Sequence, residues 1–367
     1  MNADTELSEI LIKKIRQNGA IPFRDFMEMA LYYPELGYYT SSKDKIGKRG
    51  DYYTSSNISP AFGEMLGKQI GEMWNILGEE GFTVVEMGAG TGLLSYDILY
   101  YLEKNQLYKS LDYCIVEKSP AMREKQRKRL GDRVRWCDSI HEVSGITGCV
   151  FSNELVDAFP VHAVTMESEL MEVYVDYNND FFEVLKPASK ELKNYLAELN
   201  VVLPYGYRTE INLDAIKWIK EVASALKKGF VITIDYGYPS SELYQEYRNK
   251  GTLMCYYKHT SGENPYQHIG EQDITSHVNF SALAHFGSKN GVELCGFTDL
   301  AHFLFGLGIE EYLKKLQETN PQDYHKRLLQ VKTLIMEMGE TFKVLIQKKG
   351  VKCKELSGVK FQSRWKM

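Results

Sequence analysis

A strand-like stretch that runs through a glycine-rich turn into a helical stretch limits the possible folds more than any other part of this sequence. Thr83–Met87 is apolar and strand-like, Gly88–Gly92 reads Gly-Ala-Gly-Thr-Gly, and Leu93–Lys104 has helical periodicity. Glycines in such a turn let the backbone bend sharply and approach a bound nucleoside closely. The sequence therefore predicts a nucleoside site at the end of a buried strand.

Strand and helix patterns alternate on both sides of this turn, which predicts an α/β fold with a parallel, doubly wound sheet. Ser59-Pro60 and Ser119-Pro120 are typical helix starts, since serine caps the N-terminus and proline fits the first turn. We expect a closing strand pair from Val292–Thr298 and Gly358–Arg364. The other strand-like stretches are Asp112–Glu117, Arg133–Cys137, Gly148–Ser152 and Gly229–Asp235.

An alternating apolar and polar pattern interrupts this order after Pro160 and predicts an inserted β-meander. We expect four parts: residues 1–80 as an N-terminal helical and loop module over the cofactor site, 81–160 as the first half of the core, 161–213 as the inserted meander and helix, and 214–367 as the second half, with a substrate-side loop at 236–280.

Two details of the turn favour a methyl donor over a dinucleotide. The third glycine falls one residue early for the G-x-G-x-x-G fingerprint. Glu86, just before the first glycine, can attract the cationic methionine part of S-adenosyl-L-methionine, whereas a pyrophosphate would repel it. Gly88, Ala89 and Gly90 are the turn residues expected to bind the cofactor. An NAD-dependent oxidoreductase is the alternative.

Acidic residues follow the next two strands. Glu117 ends the second strand, where a carboxylate can accept hydrogen bonds from both ribose hydroxyls. Asp138 follows the third strand and is placed to meet adenine, with a solvated loop acid as an equal alternative.

Asn153, Glu154 and Asp157 follow the fourth strand, and ligands of open α/β sheets bind outside the carboxyl ends of the strands. The two acids can orient a guanidinium or an amine and take up its proton, so all three residues are catalytic candidates. The alternative is that Asn153 and Asp157 only cap local backbone.

Two tyrosine-rich stretches are expected to form walls of the site. Asp51 and Thr54 in the first are expected to close over the cofactor, and Asp273, His277 and Tyr236 in the second to face the substrate. For His277 a structural role is favoured over catalysis.

The composition excludes several partners. The net charge of -5 gives no general attraction to nucleic acid, and no stretch approaches the ~20 apolar residues of a membrane span. The basic run at 123–129 reads as a solvated helix face. The six cysteines and the histidines lack metal-ligand spacing, so we expect no metal site. The cysteines read as reduced thiols and the N-terminus lacks a targeting signal, so we expect a cytoplasmic protein.

Several blocks of the sequence carry a resemblance to a known family. The blocks are Tyr38-Tyr39, Gly50–Ser55, Phe62-Gly63, Glu86–Gly90, Ser152–Pro160, Ile234–Gly237, Gly251–Leu253 and Gly270–Thr275. They resemble the MidA family of methyltransferases, whose mitochondrial members assist assembly of respiratory complex I.

The resemblance implies a Rossmann-like seven-stranded methyltransferase sheet, S-adenosyl-L-methionine as cofactor, and methylation of a protein arginine. A non-catalytic assembly factor and a small-molecule methyltransferase are alternatives, and a homodimer stays open. Met254 and Asn279 depart from the family pattern, which often has Arg and Asp there.

Overall fold

A computed structural model describes residues 5–41, 58–352, 355–361 and 367. Its helices are α1 (Glu6–Asn18), α2 (Phe23–Tyr32), α3 (Pro60–Leu77), α4 (Leu93–Leu102), α5 (Pro120–Leu130), α6 (Lys190–Glu198), α7 (Leu213–Ala225), α8 (Ser240–Leu243), α9 (Phe280–Lys289), α10 (Leu300–Gly306), α11 (Ile309–Thr319) and α12 (Pro321–Met336).

Its strands are β1 (Ile21–Pro22), β2 (Phe82–Met87), β3 (Leu111–Val116), β4 (Arg135–Cys137), β5 (Ile146–Asn153), β6 (His162–Met166), β7 (Leu170–Asn178), β8 (Asp180–Pro187), β9 (Arg208–Ile211), β10 (Leu226–Tyr238), β11 (Met254–Tyr257), β12 (Thr260–Gly262), β13 (Asp273–Thr275), β14 (Val278–Asn279), β15 (Glu293–Asp299) and β16 (Phe342–Lys349).

The chain divides into two compact units, each made of three separate segments. The core unit comprises Tyr53–Leu155, Trp218–Gly237 and Leu283–Met367; the second unit comprises Met1–Tyr52, Val156–Lys217 and Tyr238–Ala282. This division differs from the four consecutive parts expected from sequence. Helix α3 lies in the core unit, whereas α1 and α2 share a unit with the meander.

A path of seven strands crosses the core unit in the order β15-β16-β10-β5-β2-β3-β4. The strands from β10 to β4 are parallel, and β16 runs antiparallel to both of its neighbours. The parallel strands bring the residues after β2, β3 and β5 to one edge of the sheet. This is the Rossmann-like α/β sheet that the sequence predicted.

The predicted closing strand pair was wrong in one partner. Strand β15 pairs with β16, with Phe297 opposite Leu345, and the Ser357–Val359 segment is a 3-10 turn. The Phe342–Gln347 segment is buried throughout, as a strand inside the sheet must be. Phe342, Val344 and Ile346 make one of its faces apolar, whereas the other face contains the buried Lys343 and Gln347.

Both predicted serine caps in the core unit are confirmed. Ser59 accepts a hydrogen bond from the Ala61 N–H at 3.2 Å, and Ser119 accepts one from the Met122 N–H at 3.4 Å. Each satisfies an N–H group that has no partner within the first turn of its helix.

The second unit contains the predicted meander, which is confirmed. Its sheet runs β1-β7-β6-β9, and β8 pairs with β7 through a tight turn at Asn179, which has a φ of 66°. A separate apolar core joins α1 and α2 to this sheet, with Phe23, Phe26 and Val173 fully buried.

The segment 236–280, expected to be a loop, holds a small sheet of its own. Strand β11 pairs with β12 and β13, and Cys255 lies opposite Ile274 with both side chains buried. Strands of three or four residues are too short to show a period, so the sequence pattern did not reveal them.

Candidate functional site

The glycine turn leaves room for a backbone but not for side chains. Gly88, Gly90 and Gly92 have φ values of 71°, 51° and 73°, in the left-handed region that glycine tolerates. A Cβ on Gly88 would lie 2.7 Å from Leu155 Cδ1. The Gly88 N–H donates to the Val116 carbonyl at 2.9 Å, which fixes the turn beside the end of β3. The turn therefore fits the close approach of a nucleoside.

Glu86 lies beneath this turn and points into the core. It is 3% exposed, and its carboxylate accepts hydrogen bonds from Ser95 Oγ at 2.5 Å and Tyr113 Oη at 2.6 Å. Burial raises the pKa of Glu86 to about 7, although these two hydrogen bonds lower it. Glu86 therefore anchors the start of α4 to β2, and attraction of a cation stays a prediction that depends on its ionisation.

Glu117 lies at the end of β3, at the same sheet edge as the turn. Its Oε1 accepts from the Ser119 N–H at 2.9 Å and its Oε2 from Gln126 Nε2 at 3.1 Å. Burial raises the pKa of Glu117, and these hydrogen bonds oppose that shift. The Lys118 N–H also donates to this carboxylate. A carboxylate has about four lone-pair sites, so about one remains for a ribose hydroxyl.

Asp138 follows β4 and forms an ion pair with Arg123. Its side chain is 79% exposed. The ion pair accounts for this acid without a ligand, and its contact with adenine stays a prediction. Asp51 and Thr54 lie outside the described residues.

The segment after β5 is held in an unusual conformation. Glu154 has a φ of 53°, which is uncommon for a residue with a side chain. Its N–H donates to the Ile234 carbonyl at 3.0 Å, and its Oε1 accepts from Asn153 Nδ2 at 2.9 Å. The fully buried Asp235 accepts from the Leu155 N–H at 3.2 Å. Strand β10 therefore fixes where Glu154 stands.

The remaining candidate residues are Tyr236 in the core unit and Asp157, Asp273 and His277 in the second unit. Tyr236, in the core unit, packs against Phe342 with ring centroids 3.9 Å apart. In the second unit, the Asp157 carbonyl accepts from the Ser276 N–H at 3.0 Å, and Asp273 accepts from Tyr39 Oη at 2.8 Å. The His277 N–H donates to Thr252 Oγ1 at 2.9 Å, and its ring lies 5.4 Å from that of Tyr238.

Sequence reasoning missed three residues that shape the site: Asp235, Gln126 and Tyr113. Asp235 and Tyr113 lie within predicted strands, and their side-chain roles depend on the neighbouring strand. Gln126 is fully buried, although it lies in the basic run 123–129 that reads as a solvated helix face. An uncharged residue among charged ones was the available signal.

The described residues contain neither a metal centre nor a membrane-spanning helix. Within them, no three His, Cys, Asp or Glu side chains come together in a way that would hold a metal ion. In the same residues, every helix is too short or too polar to span a membrane.

Comparisons with known proteins agree with this geometry. Residues 65–298 match the family model described as "Putative S-adenosyl-L-methionine-dependent methyltransferase". A Burkholderia thailandensis protein, crystallised with S-adenosyl-homocysteine bound, is 34% identical with a TM-score of 0.90, covering 98% of this chain and 95% of that one.

Curated relatives extend over nearly the same length. The human protein arginine methyltransferase NDUFAF7, mitochondrial, is 27% identical over 93% of this chain and 83% of its own. Its Drosophila melanogaster homolog is 25% identical over 94% of this chain and 85% of its own. The chain belongs to this family of S-adenosyl-L-methionine-dependent methyltransferases.

Proposed function

We propose that this methyltransferase transfers its methyl group to an arginine side chain of a protein. The observation that carries the proposal is an acidic–aromatic cluster in the second unit, made of Asp157, Asp273, Tyr39 and Tyr256. The names of the human and Drosophila relatives, both protein arginine methyltransferases, support the same acceptor.

The cluster combines buried negative charge with aromatic rings. Asp157 is 6% exposed and Asp273 is 2% exposed. Tyr256 pairs with Asp273 across β11 and β13. Burial raises the pKa of Tyr256, and the negative charges of Asp157 and Asp273 raise it further. A guanidinium suits such a place because it is a planar cation that binds carboxylates and stacks on aromatic faces.

A free guanidinium has a pKa above ~12, so its nitrogen must lose a proton as it accepts the methyl group. When bound, S-adenosyl-L-methionine supplies that methyl group on a positively charged sulfur. Asp157 would orient the guanidinium through charge-assisted hydrogen bonds, and Glu154 would receive its proton. Asn153 would hold the Glu154 carboxylate through the hydrogen bond already described.

The test is to incubate the protein with a cell lysate and methyl-labelled S-adenosyl-L-methionine, hydrolyse the labelled proteins, and identify the methylated residue by mass spectrometry. Methylarginine is the expected product. Label confined to small molecules would contradict the proposal. Tight cofactor binding without any labelled product would contradict it too and would favour a non-catalytic assembly factor.

Glu154→Gln and Asp157→Asn test the roles of these carboxylates. Each is expected to slow methylation by at least about 100-fold, because general acid–base groups contribute on that scale. Binding of S-adenosyl-homocysteine should stay unchanged. Asp132→Asn, at an exposed acid of the core unit, is the control. Normal rates in both variants would show that the assigned roles are wrong.

Cytoplasmic location is also part of the proposal. It is supported by the reduced thiols of Cys114, Cys137, Cys149 and Cys255. The curated relatives are named mitochondrial proteins, so cell fractionation is the test.

Sedimentation at several protein concentrations would test whether the protein forms a homodimer.

A further inference from the structure

Gln126 links the two sequence motifs of the cofactor site. It lies on α5, is fully buried, and makes three hydrogen bonds within the core unit. Its Nε2 donates to the Gly90 carbonyl at 2.8 Å and to Glu117 Oε2 at 3.1 Å. Its Oε1 accepts from Trp136 Nε1 at 2.9 Å.

These partners fix which way the amide faces. The Trp136 ring nitrogen can only donate, so it requires the amide oxygen, and the Gly90 carbonyl can only accept, so it requires the amide nitrogen. A flipped amide would lose all three hydrogen bonds. Packing adds to this restraint, because a Cβ on Gly92 would lie 3.2 Å from Gln126 Cγ.

We propose that Gln126 is a positioning residue for the cofactor, which holds the glycine turn and Glu117 at the spacing that receives the ribose. It lies too deep to touch a ligand itself, so it acts through these two neighbours. The Glu117 carboxylate keeps one orientation because the Ser119 N–H holds one oxygen and Gln126 holds the other.

Gln126 also supports the ionised form of Glu117. Burial raises the pKa of this carboxyl, and the hydrogen bonds from Ser119 and Gln126 oppose the rise, as does the positive charge of Arg123. The other titratable group that faces it is Glu86, whose own pKa the Glu117 charge raises. An ionised carboxylate accepts from a ribose hydroxyl, whereas a protonated one presents a donor of its own. Loss of Gln126 should therefore weaken ribose recognition, and more so at low pH.

The test is Gln126→Met, which keeps the length of the side chain and removes its hydrogen bonds. Calorimetry would measure binding of S-adenosyl-homocysteine and of its 2′-deoxyribose analogue between pH 6 and pH 8. The variant should bind S-adenosyl-homocysteine about tenfold more weakly, since a hydrogen bond to a charged group is lost. Its preference over the deoxy analogue should shrink, and affinity should fall more steeply towards pH 6 than in the unmodified protein.

Glu124→Gln is the matched control, because Glu124 lies on the same helix with its side chain exposed. An unchanged ribose preference and pH profile in Gln126→Met, whatever the affinity, would overturn the proposal, since general loosening of α5 would weaken both ligands alike. If Gln126→Met does not fold, Gln126→Glu serves instead. Its affinity should fall as pH rises, because a second carboxylate then faces Glu117, and a slope like that of the unmodified protein would overturn the proposal.

Discussion

At the scale of single residues, Glu86 shows how a motif residue can have a different role from the one its position indicates. The acid before the first glycine reads as a partner for a cationic ligand. In the fold its carboxylate lies in the core and is held by Ser95 and Tyr113. Ionisation of Glu86 therefore affects the free energy of unfolding as well as cofactor binding.

Glu86→Gln tests this coupling. The folded pKa of Glu86 is about 7 against a usual value of 4.5, so folding favours the neutral form. The stabilisation is complete below pH 4.5 and is lost as pH rises through 7. The glutamine variant has no such loss. From pH 5 to pH 8, the free energy of unfolding of the variant should therefore rise relative to that of the unmodified protein by about 2.5 kcal/mol.

Urea unfolding at both pH values measures this gain, with Asp132→Asn as the control at an exposed acid. A difference in unfolding free energy that stays constant with pH would contradict the role given to Glu86.

At the scale of elements, Asn279 explains one departure from the family pattern. Its Oδ1 accepts from the Ala282 N–H at 3.1 Å and from Ser240 Oγ at 3.0 Å. Its Nδ2 donates to Tyr244 Oη at 3.3 Å. Asparagine and aspartate are both good helix caps, so the start of α9 is kept whichever residue stands here. For Met254, nothing in the structure explains the departure.

Asn279→Ala should destabilise the protein by about 1 kcal/mol or more, because the cap is lost. Asn279→Asp should cost less, since aspartate accepts the same hydrogen bonds and Tyr244 can donate to it. Chemical denaturation measures both. Ser288→Ala, at an exposed position of the same helix, should have little effect. Equal losses for the alanine and aspartate variants would show that capping is not what Asn279 contributes.

Sequence predicted those elements whose signals are local. The buried strands β2 and β5 and the caps at Ser59 and Ser119 need only their own residues to be recognised. The partner of β15 is β16, which lies far from it along the chain. The role of Gln126 depends on β4, whose contact with α5 is set by the fold. Gln126 accepts a hydrogen bond from Trp136 on β4, and no sequence pattern along α5 reveals that contact.

At the scale of the whole molecule, the candidate residues are distributed over two units. The core unit carries the glycine turn, Glu117 and Glu154; the second unit carries Asp157, Asp273 and His277. The sequence predicted consecutive parts because pattern changes mark where the chain alters its structure. Such changes do not show which distant segments pack together.

Hydrogen exchange with and without S-adenosyl-homocysteine should separate the units. A ligand that binds the native state slows local opening where it is held. Protection should therefore concentrate in peptides covering 86–92 and 115–119, and the β7–β8 hairpin should exchange as before. Comparable protection in that hairpin would contradict the placement of the cofactor motifs in the core unit.

The position of β16 has a consequence for how the protein is made. This strand lies between β10 and β15, yet it is the last strand along the described part of the chain, at Phe342–Lys349. During synthesis, the Gly229–Tyr236 edge of β10 therefore lacks its partner strand until residue 349 has left the ribosome. Such edges invite wrong pairing. The sheet that carries the cofactor motifs is therefore among the last parts of this protein to be completed as it is synthesised.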